Sequence, residues 1–580
     1  MSGVNVGGVT KLPTGVYDTF DVSGNVAANI PNFNVPVVIG KQYSGIPFDA
    51  VGANPFQYGA NPDDTADAFG RGSDIAIGYN EAYRHNATAC YFLGLNPATQ
   101  TVFGVNAGVT ELLSLTSKRY GSVSGDDQIT VSTASGKTTI AIKSPIEVFY
   151  LKDDTVAGAK QFNLRAAPTF NQGDVLIFRA DGLAADFTAK VLSIIAHTIT
   201  GLVNGVQTTV TDYYTVLTDT AFLAGFDVAH VARCWADKSQ NYYSETFTAS
   251  TMAQLASFVN GQSVLWTATA VAEGTPDAIA TIRASQITGA TIGLTTVGNA
   301  VSDASRHLAL IAALPQLLSN LSAQLGRDAR LFLVLSGDHS VHQAYRGYAD
   351  TRKSLMKPIN IVSGTDYLPV SPLTPTDMTN PALAAADLND DEFVLAVGGG
   401  DGLPAYLSFA AAAFGMRTSL LLASNLTDRR LNYSIPEYVW SKETGEMDTV
   451  LQAGCLVYDT EGYLHIEKGQ NTLQNQVFWD KTHDQSYLIM QRDLADFHII
   501  RFPIDLNVNL ASQTDESLDS VGVAVAGNNV LSSYQRQGYN TGGNVTSVVP
   551  DANGEGWDVD IDFTQPHETN YVVAHLHLHV

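Results

Sequence analysis

Strand, helix, strand patterning occurs twice in this chain, and the two blocks are separated by nearly two hundred residues with a different texture. In the first block, "NVPVVIG" reads as a buried strand, "DAFGRGSDIAIGYNEAYRHN" as a helix entered through Asp and Ser caps, with Ile75, Tyr79 and Tyr83 on one face, and "ATACYFLGL" as a second strand. In the second, "SDASRHLALIAALPQLLSNLSAQLG" places Ala304, Leu308, Ile311, Leu318, Leu321 and Leu325 at helical spacing, with a kink at Pro315 and a stop at Gly326. "ARLFLVLSG" and "EFVLAVGG" follow as buried strands. Between the blocks run short alternations rich in Thr, Val, Gly and Ala, such as "QITVSTASGKTTIAI". Such a chain folds as one α/β layer split by a β-rich insertion.

Length sets the remaining organisation. At 580 residues the chain exceeds one core, and roughly 100 to 200 residues per domain gives about three or four units. The expected division is an N-terminal arm (1–30), a split α/β domain (31–103 and 291–405), a β-rich inserted domain (104–290), a C-terminal α+β domain (406–563) and a C-terminal arm strand (564–580). The fold class is multidomain α/β, with an α+β C-terminal domain and extended arms at both ends.

Charge narrows the partners. Acidic residues number 57 against 32 basic ones, a formal charge of −25, so no basic surface exists to displace the counterions of nucleic acid. Charged residues make up only 15% of the chain, below the usual quarter, which suits a surface largely covered by other protein. "MSGVNVGGVTKLPTGVYD" has neither a basic n-region nor an apolar h-region, so no secretory signal is expected, and no apolar run is read as a membrane span. Cys90, Cys234 and Cys455 are scattered, two of them in apolar strings, and read as buried thiols.

Three stretches imitate catalytic motifs. "LSGDHSVH" puts Ser336, Asp338, His339 and His342 beyond a strand but lacks the flanking glycines of a nucleophile elbow, with Val334 and Asp338 in their places, and Asp338 reads as a helix cap. "VGGGDGLPA" fits a dinucleotide turn through Gly400, Gly402 and Ala405, yet "LLASN" supplies no acid for a ribose, and a tight turn before a helix beginning near Pro404 accounts for it. "SGKTT" has Val131 where a phosphate loop needs glycine, and reads as a hairpin turn. No catalytic residue, cofactor or metal is assigned.

Order along the chain carries the functional signal. "PTGVYDTF", "NVPVVIG", "DAFGRGSDIAIGYNEAYRHNATACYFLGL" and "LTSKRYG", then "LQAGCLVYDTEGYLHIEKGQNT" and "MQRDLADFHIIRFPIDLNVNL", occur in an order that resembles the tail sheath proteins of contractile bacteriophages and related injection systems. The resemblance covers about 13–121 and 391–580, leaves most of 122–290 unmatched, and departs where "GGGDGLPA" replaces a Pro-Ser-Gly turn. It implies a non-enzymatic virion subunit, assembled in the host cytoplasm. Such a subunit polymerises in rings around a tail tube, meets baseplate and tail terminator proteins, and contracts to drive the tube through a cell envelope. It also implies terminal arms that add strands to neighbouring subunits' sheets. A secreted or surface β-rich adhesin and, less favoured, a cytoplasmic hydrolase are the alternatives.

The residues suggest which groups would join subunits. Val4, Val6, Val16 and Tyr17 lie among glycines with no local partner. Arg346, Arg352 and Lys353, and Arg429 and Arg430, form basic clusters able to meet acidic patches on a neighbour. "YVVAHLHLHV" alternates, with Val572, Ala574, Leu576, Leu578 and Val580 on one face and His575, His577 and His579 on the other. Upstream, "EGWDVDIDF" alternates too, and its Asp558, Asp560 and Asp562 could pair with those histidines, either within the chain or between subunits. This pattern suits an added strand better than a zinc site, because no further ligand stands nearby.

Overall fold

The computed structural model describes residues 35–564, less 182–185, 204–205, 223–224, 227, 229–230, 297–302, 327, 356, 367–372, 374–376, 420–424, 434, 461–462, 475–487, 511–518 and 551–556. Its centre is a seven-stranded sheet in the order Gln57–Gly59, Cys90–Gly94, Val35–Gly40, Ala329–Val334, Asn360–Gly364, Phe393–Ala396, Cys455–Leu456. All neighbours are parallel except the edge strand Gln57–Gly59. The long strands are continuous apolar runs because both faces are covered by helices.

The chain winds in two directions. From Val35–Gly40 it crosses to Cys90–Gly94 through helices Pro62–Phe69 and Asp74–Arg84, and from Ala329–Val334 it steps the other way through helices His339–Ser354 and Pro381–Leu388. Right-handed crossovers therefore place these helix pairs on opposite faces. Helix Phe409–Ser419 joins the first face, packing on Asp74–Arg84, while Asp303–Leu325 and Glu446–Gln452 join the second. Ser73 and Asp338 cap their helices by accepting hydrogen bonds from Ala76 N and Ser340 N.

Two expectations need correction here. The layer does not stop near residue 405, since helix Phe409–Ser419 and the short strand Cys455–Leu456 are built into the sheet and its core. In helix Asp303–Leu325 one position departs from the expected face: Leu318 and Leu321 are buried and Ala304, Ile311 and Leu325 pack against the core, but Leu308 is 56% exposed and His307, with Leu310 and Leu314, turns inward. His307 takes the inward position because Tyr345 lies 3.1 Å from its Nδ1. By length and composition this helix could cross a membrane, although no such run was read from the sequence; here it packs on helix His339–Ser354 and strand Ala329–Val334.

Residues 100–296 form three further sheets. Three-stranded and four-stranded sheets close over Phe103, Leu115, Ile129, Ile140 and Trp266, with helix Met252–Gln262 packed into the same core. Strands Gln128–Ala134 and Lys137–Pro145 are joined by a turn with Ser135 and Gly136 at φ 51° and 72°, so "SGKTT" is a hairpin. A six-stranded sheet encloses a core rich in phenylalanine, including Phe162, Phe178, Phe187 and Phe222. Buried ion pairs join these parts: Arg119 with Asp127, Arg233 with Asp126 at 2.6 Å, and both Arg179 and Arg283 with Asp186, at 2.8 and 2.6 Å.

This β-rich segment does not simply project from its two connections. Tyr150 stacks on Tyr43 at 4.7 Å, and the hairpin Phe187–Val203/Val206–Thr218 reaches back until Gly201 lies against Ile435 of the α/β layer.

Candidate assembly site

The C-terminal region ends, among the described residues, in helices Ile489–Leu510 and Ser520–Arg536 and an antiparallel strand pair, Gly542–Pro550 and Trp557–Thr564. Alternation in "WDVDIDFT" leaves Trp557, Val559, Ile561 and Phe563 half-buried and the aspartates exposed. Val545, Val559 and Ile561 pack on Leu494, Phe497, Phe502, Val530 and Tyr534 from the two helices, and Phe563 stacks on His498 at 4.0 Å. Gly527 lets the strand close on the helix, since a Cβ there would lie 2.5 Å from Val545 Cγ2.

This pair stands as a two-stranded sheet among the described residues. Among the described residues each strand has one strand neighbour, so each leaves an outer edge, with Val545 N alone on its edge donating to Asn528 Oδ1 at 2.8 Å. A two-stranded ribbon with a half-buried apolar face is a template for strand addition. In its register Asp558, Asp560 and Asp562 face Val549, Ser547 and Asn544, so no histidine opposes them inside the pair. His575, His577 and His579, and with them Val572, Ala574, Leu576, Leu578 and Val580, lie outside the described residues, as do Val4, Val6, Val16 and Tyr17.

The ribbon's supporting helix is bolted to the α/β sheet by a buried ionic cluster. Asp496 meets Arg330 at 2.6 Å, accepts from Asn360 Nδ2 at 2.8 Å and from Arg492 Nε at 2.8 Å. Arg492 also reaches Asp391 at 2.8 Å, Asp391 takes Lys353 at 2.6 Å, and Arg417 pairs with Asp493 at 2.5 Å. Arg330, Asn360 and Glu392 stand at or beside the starts of three adjacent strands, so the helix crosses the sheet's N-terminal end. Glu392 is 1% exposed, and its carboxyl is pushed up to about 9 by burial and by the Asp496 charge. Sequence reading missed this cluster: the spacing of Arg492 and Asp496 suggests an ion pair on one helix, but their partners lie a hundred or more residues away.

Of the basic residues read as interface groups, the structure leaves one pair facing solvent. Arg429 and Arg430 are exposed. Arg352 is buried, a correction to its reading as a surface cation, because Val341, Tyr345, Tyr348 and Arg352 fall on the inward face of helix His339–Ser354. Lys353 is committed to Asp391, and Arg346 stands 3.7 Å from both Asp350 and Asp390.

The catalytic imitations resolve into structure. Ser336 Oγ donates to Asp303 at 3.1 Å, while His342 Nε2 lies 2.8 Å from the Ser336 carbonyl and 3.0 Å from Ser363 Oγ, so the serine hydroxyl is not held by a histidine. Burial pushes His342 down to about 4. In "GGGDG" the backbone donors that would cradle a phosphate are used internally: Gly399 N donates to Glu437 Oε2, Gly400 N to Ser408 Oγ and Asp401 N to the Ile435 carbonyl. A Cβ on Gly399 would lie 1.9 Å from the Leu403 carbonyl, which explains the glycine, and Pro404 precedes the helix, which starts at Phe409. Burial raises the thiols of Cys90, Cys234 and Cys455. A cleft of about 1100 Å³ between helices Pro62–Phe69 and Asp74–Arg84, the loop at 401–407 and the β-rich segment is lined by both signs of charge, with Arg71 paired to Asp67 at 2.6 Å and Arg84 to Glu81 at 2.8 Å.

No family model and no curated protein matches the sequence. Among solved structures, the sheath tail protein from Listeria innocua aligns over 92% of this chain and 92% of its own, at TM-score 0.51 and 12% identity. The sheath tail protein from Desulfitobacterium hafniense aligns over 95% and 100%, at TM-score 0.47 and 12% identity. The contracted helical sheath of the anti-feeding prophage aligns over 49% and 77%, at TM-score 0.34 and 13% identity. On the first of these likenesses, the chain has the fold of a sheath tail protein.

Proposed function

We propose that the chain is the structural subunit of a contractile tail sheath. It polymerises around a tail tube as stacked rings or a helix, and contracts to drive the tube through a cell envelope. Fold likeness to a sheath tail protein supports the class, and the observation that carries the mechanism is the two-stranded ribbon Gly542–Pro550/Trp557–Thr564 with its outer edges. Strands donated by the arms of neighbouring subunits would complete that sheet, tethering copies through backbone hydrogen bonds that need no particular side chain. Such tethers persist while other contacts exchange, as contraction requires. The ionic cluster around Asp496 would carry force from the ribbon into the body of the subunit.

The subunit does no covalent chemistry in this reading. Its partners are copies of itself, the tube protein, and the baseplate and terminator at the two ends, and its place is the virion tail after assembly in the host cytoplasm. The inserted β-rich part is an accessory layer docked on the α/β sheet. Deleting residues 571–580 tests the tether: the truncated subunit should stay folded and soluble and form no tubes. Polymerisation of the truncated chain would refute the strand-addition mechanism.

A further inference from the structure

Among the described residues, and apart from the assembly surfaces, one side-chain cluster has the chemistry of a ligand site. Strands Tyr458–Asp459 and His465–Ile466 pair antiparallel with Asp459 opposite His465, and residues 428–430 run beside them, with Asp428 N donating to the Ile466 carbonyl at 2.8 Å and Ile466 N to that of Arg429 at 2.9 Å. One ligand atom each from Asp459, His465 and Glu467 falls within 4.8 Å of the others.

The histidine defines the site. His465 is 9% exposed, and its Nδ1 lies 2.7 Å from the Tyr463 carbonyl, which holds Nδ1 as a donor and leaves Nε2 as the ring atom free to take a ligand. Nε2 has no hydrogen-bond partner among the described residues, and points at carboxylates that stand off, Asp428 Oδ1 at 3.7 Å and Glu467 Oε2 at 3.9 Å. Those gaps are too long for hydrogen bonds. They approach the separation of neighbouring ligands on a tetrahedral ion, roughly 3.4 Å for bonds of about 2.1 Å. Nε2 and these carboxylates therefore face one another across a gap that is buried on the His465 side and open to solvent at Asp428.

We propose that Asp459, His465 and Glu467, with Asp428 closing the ring, bind a divalent first-row transition ion such as zinc. One imidazole with carboxylates suits such an ion better than magnesium or calcium, which prefer oxygen alone. Asp428 is mostly exposed and gives the ion a path from solvent. Lys442, whose Nζ lies 2.5 Å from Asp459 Oδ2, supplies the positive charge when the ion is absent and competes with it. Binding would pin the segment that presents Arg429 and Arg430 to the strand pair Tyr458–Asp459/His465–Ile466.

The test uses the full chain with His575, His577 and His579 replaced by alanine, so that the terminal histidines cannot take up metal. Calorimetric titration with zinc at pH 7.5 should find one ion per chain. His465→Ala should weaken it at least about 100-fold and Asp428→Asn about tenfold, with circular dichroism checking that each variant is folded. Lys442→Ala, which leaves every ligand in place, should tighten zinc binding, and cobalt in place of zinc should give the intense visible absorption of a four-coordinate site. Absence of zinc uptake, affinity unchanged by His465→Ala, or weaker binding in Lys442→Ala would overturn the proposal.

Discussion

Replacing Asp496 by alanine removes the one carboxylate on which Arg330, Arg492 and Asn360 converge. Arg330 is 2% exposed and cannot turn to water, so its guanidinium would be left buried without that partner. Breaking a buried pair in this way costs about 3–5 kcal/mol. Part of the loss is offset locally, because Asp493 also acts on Arg330 and because Glu392, still raised by burial but freed of the Asp496 charge, ionises more readily beside Arg492. The lower end, about 3 kcal/mol, is therefore expected, which corresponds to about a 100-fold rise in local opening. Amide exchange followed by mass spectrometry reads this directly: Ile489–Leu510 should exchange about 100-fold faster, while Val35–Gly40, buried in the sheet centre, should not change. An exchange rate in the helix altered less than threefold, or equal acceleration across the whole subunit, would refute the reading of Asp496 as the bolt between ribbon and body.

Other consequences follow from the same geometry. Glu392, at about 9 in the fold, binds a proton that the unfolded chain loses near pH 4 to 5, so its contribution is complete below that range and is lost as pH rises towards 9. Glu392→Gln should accordingly raise the melting temperature at pH 8 and leave it nearly unchanged at pH 4; a gain at pH 4 as large as at pH 8 would contradict the assignment. Arg429→Ala with Arg430→Ala, both at exposed positions, should move stability by less than about 0.5 kcal/mol yet slow polymerisation measured by light scattering, whereas unchanged assembly would remove the pair from the interface. Amides around Val4, Val6, Val16 and Tyr17 should exchange fast in the free subunit and slowly in the polymer, and equal protection in both would count against donated arms.

What the sequence made legible divides along physical lines. Buried parallel strands such as Val35–Gly40 and Ala329–Val334 announce themselves as continuous apolar runs, and caps such as Ser73 and Asp338 are local chemistry, so both could be read directly. Cys455–Leu456 could not be placed as the sheet's last strand, because a two-residue strand carries no periodicity and its partner Phe393–Ala396 lies about sixty residues earlier. Most of the inward face of Asp303–Leu325 is legible from spacing, but apolar counting favours Leu308 over His307, and only the contact with Tyr345 makes the histidine a core residue. Alternation in "WDVDIDF" revealed a ribbon strand with one apolar face, but not that its partner is Gly542–Pro550. Arg352 shows the same limit: a basic pair in sequence says nothing about which member turns inward on a helix. The cluster at Asp496 depends wholly on tertiary convergence of residues from one helix, two strands and the position just before a third strand.

Electron microscopy of the purified full-length protein tests the sheath reading most directly. At concentrations where copies meet, the subunit should form hollow tubes or stacked rings, with reconstructed density for extra strands on the edges of Gly542–Pro550 and Trp557–Thr564 contributed by neighbouring subunits. Dispersed monomers at every concentration, or tubes in which that ribbon gains no strand from another copy, would contradict it.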